Sequence, residues 1–221
     1  MPEHSGLHQR QPIRHAGEPL ERAYGAMVLL HGRGATAEDI LTLASQFDQP
    51  NFAYLAPQAK ANTWYPNRYL APMIENEPWL SSALALVEEV LALVQDAGIV
   101  PEHTMLLGFS QGACLTLEFA ARHARRYGGV VGLTGALIGP WDTPRNYNGT
   151  FDGTPIFLGC SNADIHIDKE RAIESAEVFK RLGAQVTLRL YPNLGHEVNE
   201  DEIDFVRRMM RQIARESRAL G

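Results

Sequence analysis

Thr104-Met105-Leu106-Leu107-Gly108-Phe109-Ser110-Gln111-Gly112 decides the reading of this 221-residue chain. Residues 104–108 read as a buried strand and residues 112–124 as a helix. Between them, residues 108–112 match Gly-x-Ser-x-Gly in the strand-turn-helix setting that the pattern requires. A sharp turn of this kind lifts a serine hydroxyl above the sheet. Side chains at the two flanking positions would collide with neighbouring backbone, so both are glycine. The helix N-terminus also presents unpaired N–H groups near Ser110, which favours developing negative charge there. A five-residue match alone arises by chance; the strand before it and the helix after it give it weight.

Outward from this turn, strand-like and helix-like runs alternate, which points to parallel βαβ units in one α/β domain over residues 1–221. The strand-like runs are residues 26–30, 52–55, 104–108, 129–134, 155–160 and 185–191. The last alternates, with Val186, Leu188 and Leu190 on one face, and is expected near a sheet edge. Helices are expected at 36–47, where Thr36 and Asp39 are spaced as a capping box, and at 78–97, 112–124 and 171–182. In the second, Leu80, Leu84, Val87, Leu91 and Val94 form one apolar stripe. Asn199 and Glu202 cap a final helix carrying Ile203, Val206, Met210 and Ile213. Residues 13–22 read as a hairpin turning at Gly17 and Pro19. Residues 62–77 lack periodicity but hold Trp64, Tyr65 and Tyr69, and ordered loops of this length over an α/β sheet are more often functional than idle.

Composition narrows the function. An apolar share of 45%, a charged share of 21% and 19 Gly with 13 Pro are ordinary globular values. A net charge of −6 does not suit a nucleic-acid binder or a polyanionic membrane surface. Residues 1–12 are polar, are expected to be flexible and do not read as a signal peptide. No apolar run is long enough to span a bilayer, so stable membrane insertion is not expected. Two cysteines, Cys114 and Cys160, exclude a disulfide scaffold, leave a single bridge open and suit a reduced cytoplasmic protein. No Cys/His spacing resembles a zinc site, and no cofactor is expected.

A serine hydroxyl needs a base. His123, His166 and His196 follow Ser110. His123 lies about three turns along the nucleophile helix, pointing away from the turn. His196 lies in a loop after the last strand, at the sheet edge where Ser110 emerges, and is the favoured base; His166 is the rival. The acid is expected after the strand at 155–160. Asp164 is preferred over Asp168, which sits where a helix-capping role suffices. Asp164 would hold the His196 tautomer and stabilise its imidazolium. A tetrahedral intermediate also needs two N–H donors. The amide of Gln111 is one candidate. The amide of Arg33, in His31-Gly32-Arg33-Gly34 after the first buried strand, is the other. His31 reads as orienting this loop.

These residues, with Gly195-His196, resemble the α/β-hydrolases, in their small bacterial phospholipase/carboxylesterase and acyl-protein thioesterase branch. The similarity runs from about residue 25 onward and includes Ala56-Pro57-Gln58-Ala59 and Asn62-Thr63-Trp64-Tyr65-Pro66. It implies a mostly parallel sheet of seven or so strands with helices on both faces, little or no cap, and no metal. It also implies that the loop carrying Arg33 supplies an oxyanion amide. Two departures bear on the substrate. Gly34-Ala35-Thr36 stands where thioesterases of the family usually carry Gly-Asp-Thr. The acid loop, residues 161–167, is nearer to dienelactone-hydrolase-like members, which use cysteine where this chain has Ser110.

The expected activity is hydrolysis of small-molecule carboxylic esters or thioesters through an acyl-enzyme. The alternatives are lactone or dienelactone hydrolysis, and a non-catalytic hydrolase-fold binding protein. Trp64, Tyr65, Tyr69 and Trp141 are candidates for the pocket wall, and the Arg33 side chain for contact with an acidic substrate. Small uncapped hydrolases sometimes form homodimers, but no exposed stripe compels one here.

Overall fold

Strands that are apolar on both faces must be covered on both faces, and this sets the architecture. The computed structural model describes residues 6–219. Its strands are β1 (Ile13–Gly17), β2 (Gly25–Leu30), β3 (Phe52–Pro57), β4 (Thr104–Phe109), β5 (Gly129–Leu133), β6 (Pro155–Ser161) and β7 (Gln185–Tyr191). They form one sheet in the order β1-β3-β2-β4-β5-β6-β7. Only β1 runs antiparallel to its neighbour. β2 to β5 are buried almost throughout.

The helices are α1 (Ala37–Phe47), α2 (Trp79–Asp96), α3 (Gln111–Arg122), α4 (Lys169–Arg181) and α5 (Glu200–Ala219). Met27, Leu29, Met105 and Leu107 pack with α1 and α5 on one face. Val28, Leu30 and Leu106 pack with α2, α3 and α4 on the other. The α2 stripe from Leu80 to Val94 is buried, each large side chain contributing about 1.5–3 kcal/mol. The capping box of Thr36 and Asp39 starts α1. Asn199 and Glu202 exchange the same reciprocal bonds, 3.0 and 3.1 Å, before α5. Between β3 and α2 lie only loops and two short 3-10 turns, so no cap domain covers this end of the sheet.

One expectation is corrected. Residues 13–22 are not a hairpin: β1 pairs with β3, from Ile13 opposite Pro57 to Gly17 opposite Ala53. Local turn residues were present, but the open edge of β3 offered the partner. The N-terminal segment packs against the loop after β3 over part of its described length. His8 is fully buried, its ring within hydrogen-bonding distance of the Trp64 carbonyl (3.1 Å) and accepting from the Lys60 amide (3.0 Å). Residues 1–5 lie outside the described residues. β7 is at the sheet edge as its alternation implied. Cys114 and Cys160 are buried free thiols.

Candidate active site

Ser110 sits between β4 and α3 at φ 54°, ψ −118°. For a non-glycine residue this conformation costs on the order of 1–3 kcal/mol and persists only where the surroundings enforce it. They do. The Ser110 amide donates to the Leu133 carbonyl of β5 at 3.0 Å. A Cβ on Gly108 would lie 2.2 Å from the Gly112 carbonyl oxygen, and one on Gly112 would lie 2.1 Å from that of Leu30. The strand before Ser110, the helix after it and the end of β2 therefore close around the serine without room for a methyl group.

The loops after β6 and β7 bring the other two residues to it. His196 Nε2 lies 2.8 Å from Ser110 Oγ, and His196 Nδ1 lies 2.8 Å from Asp164 Oδ2. The second oxygen of Asp164 accepts from the amides of His166 (2.6 Å) and Ile167 (3.0 Å). Burial works against the ionised form of Asp164, but the bonds from His196 and those two amides outweigh it and hold the carboxyl below its ordinary pKa. An ionised Asp164 fixes the proton on Nδ1 and leaves Nε2 to accept from the serine. The two loops are bonded to each other. Ser161 Oγ donates to the Leu194 carbonyl, and the Asn193 amide donates to Asn162 Oδ1 at 3.1 Å. Their spacing is thus set by contacts that neither loop contains alone.

The rival residues fall elsewhere. His166 packs edge-on against His196 at 4.7 Å between ring centroids and has no bond to Ser110. Asp168 precedes α4 and lies 3.4 Å from the Tyr69 hydroxyl. His123 packs on Phe119.

The loop carrying Arg33 lies against the serine: a Cβ on Gly32 would sit 3.5 Å from that of Ser110. His31 is fully buried. Its Nε2 accepts from the Ala59 amide at 3.1 Å, so Nδ1 carries the proton and donates to the Gly32 carbonyl at 2.8 Å. Burial lowers its pKa and keeps it neutral. The Arg33 guanidinium reaches across to the carbonyls of Tyr65 (2.9 Å), Pro66 (2.9 Å) and Asn67 (2.6 Å). The Gln111 side chain donates to the Tyr65 carbonyl at 2.8 Å and accepts from the Trp64 amide at 3.0 Å. Both side chains bind loop 62–77, leaving the Arg33 and Gln111 main-chain N–H groups as the candidate oxyanion donors.

A cavity of about 650 Å³ opens over Ser110, within the usual range for a small-molecule site. Tyr65, Tyr69, Cys114 and Ile167 supply its apolar wall. Arg33, Arg68 and His166 add polar surface. Among the described residues no cluster of three or more His, Cys, Asp or Glu could hold a metal ion. No helix there is long and apolar enough to cross a membrane.

A family model described as Phospholipase/Carboxylesterase matches residues 15–214. The chain belongs to this family. It is 44% identical to the crystal structure of a phospholipase/carboxylesterase from Dyadobacter fermentans, with a TM-score of 0.87, covering 90% of this chain and 96% of that one. An acyl-protein thioesterase 1 from Gibberella zeae is 32% identical over 126 residues, 53% of this chain and 51% of its own length. A probable carboxylesterase SOBER1-like from Arabidopsis thaliana is 27% identical over 203 residues, 83% of this chain and 76% of its own. The matched regions span about half the length of the thioesterases first among its curated relatives. The structure is an α/β-hydrolase fold like its solved neighbours.

In this phospholipase/carboxylesterase family member two expected wall residues do not line the cavity. Trp64 is fully buried beneath it, its ring tilted against that of His31 at 4.9 Å between centroids and its Nε1 donating to the His31 carbonyl at 2.8 Å. Trp141 is 54% exposed and lies over the Arg171 guanidinium at 5.0 Å. Tyr65 and Tyr69 do line it. Sequence reasoning missed Arg68 as a wall residue and the loop-binding role of the Gln111 side chain. An arginine inside an aperiodic aromatic loop was the available signal for the first; the second had none, because its partners lie 46 to 48 residues away in the chain.

Proposed function

We propose that this chain hydrolyses carboxylic esters or thioesters by way of an acyl-enzyme on Ser110. Its proton passes to His196 Nε2 as Oγ attacks the carbonyl carbon. Asp164 holds the tautomer and stabilises the imidazolium without taking the proton. The oxyanion accepts from the amides of Arg33 and Gln111; losing one such donor costs about 10²–10³ in rate. Collapse of the intermediate releases the alcohol or thiol, which takes the proton from His196. Water then attacks the acyl-enzyme by the same route and releases the acid.

The unbroken line from Ser110 through His196 to Asp164, 2.8 Å at each link, supports this reading above every other observation. The relatives named carboxylesterase and acyl-protein thioesterase support the two substrate classes. Ser110→Ala is expected to abolish turnover of 4-nitrophenyl esters and labelling by a fluorophosphonate while the circular-dichroism spectrum is kept. A variant that keeps its activity refutes the assignment. A wild-type protein that never labels points instead to a binding protein on this fold.

A further inference from the structure

The cavity has a charge bias that hydrolysis of a neutral ester does not require. The chain carries a net charge of −6, yet the wall around Ser110 includes Arg33, Arg68 and His166 and no Asp or Glu. The two arginines differ in what they do. Arg33 is engaged by three carbonyls. Among the described residues, the Arg68 guanidinium has neither a hydrogen-bond nor an ion-pair partner; only its carbonyl is engaged.

The backbone beneath Arg68 is fixed. Five successive carbonyls, residues 65–69, accept hydrogen bonds. Arg33 takes the first three. The Arg68 carbonyl accepts from the Ala71 amide at 3.0 Å and from the side chain of buried Asn76 at 3.4 Å. The Tyr69 carbonyl accepts from the Gly139 amide at 2.7 Å. A guanidinium with unused donors thus stands on a stiff platform, on the wall that also holds the nucleophile. Its fork matches a carboxylate in two parallel bonds. A platform held at both ends limits the ordering cost of making them.

We propose that Arg68 is a specificity-determining residue, and that the substrates are esters or thioesters whose acyl part ends in an ionised carboxylate. This rests on the ester-hydrolase reading above. The substrate lies with its scissile carbonyl at Ser110 and its distal carboxylate on the Arg68 guanidinium.

The test compares two esters of equal acyl length, 4-nitrophenyl hydrogen adipate and 4-nitrophenyl hexanoate. The wild type is expected to favour the adipate at least tenfold in kcat/KM. Arg68→Gln lowers that ratio by about 10- to 100-fold, the range for charge-assisted hydrogen bonds. Arg68→Lys restores part of it, because charge returns without the fork. Free adipate inhibits the wild type at least tenfold more strongly than Arg68→Gln. A wild-type ratio near one, or a ratio unchanged in Arg68→Gln, overturns the proposal and leaves ester hydrolysis standing. If neither ester is turned over and Ser110 does not label, ester hydrolysis itself falls and this proposal with it.

Discussion

Gly112→Ala puts the serine turn under direct test. The added Cβ would lie 2.1 Å from the Leu30 carbonyl oxygen and 2.5 Å from that of His31. Ordinary contact begins near 3.4 Å, so α3 and the end of β2 must part by roughly 1 Å, and both obstacles are backbone. Leu30 and His31 lead directly into Gly32-Arg33, and the His31 carbonyl also holds Trp64. The displacement therefore falls on the distance between Ser110 and the proposed oxyanion donor. Overpacking of this kind costs about 1–3 kcal/mol, roughly 2–10 °C in Tm for a chain of this size. A 1 Å misplacement at a reacting centre costs about 10² in rate. The measurements are Tm by scanning fluorimetry, kcat/KM on a 4-nitrophenyl ester, and the rate of fluorophosphonate labelling. Gly195→Ala is the control: its Cβ would meet nothing nearer than the Glu197 side chain at 3.9 Å. If Gly112→Ala keeps its rate within threefold and its Tm within about 1 °C of the wild type, or behaves like the control, the steric argument fails.

Asp164→Asn should leave the fold intact while lowering kcat by about 10⁴, because the amide no longer enforces the Nδ1–H tautomer of His196; a loss below tenfold would show that Asp164 does not orient the base. Glu202 makes a different prediction. Burial raises its pKa to about 7 from 4.5, outweighing its bond from the Asn199 amide. The folded state thus holds the proton more tightly than the unfolded one, so the stability this proton confers is present below pH 4.5 and lost as pH rises through 7. Glu202→Gln removes that loss, and its stability relative to the wild type should rise by up to about 3 kcal/mol between pH 4.5 and 8. Urea melts at the two pH values check this, and a difference that does not grow with pH would refute it.

The serine turn was legible because its constraints are local. Gly108 and Gly112 flank a turn that tolerates no Cβ, and a strand and a helix adjoin it in the chain. The capping boxes at Thr36 and Asn199 were legible for the same reason, since each joins residues three apart. His196 and Asp164 were reachable by position alone. Both stand just beyond apolar strands, and parallel strands place such loops at one edge of the sheet.

What the sequence by itself determined is the chemistry available at the end of β4: a serine hydroxyl held where only glycine neighbours fit. It also determined the strands that carry its partners to that edge. Tertiary structure decided what surrounds that chemistry. It sent β1 to β3, buried His8 against loop 62–77, put Trp64 under the cavity and Arg68 on its wall, and turned Arg33 into a clamp for three distant carbonyls. Those choices depend on which groups lie within about 3 Å once the chain is packed. Periodicity along the chain records burial and local geometry; it holds no record of contacts between residues that share neither an element nor a repeat.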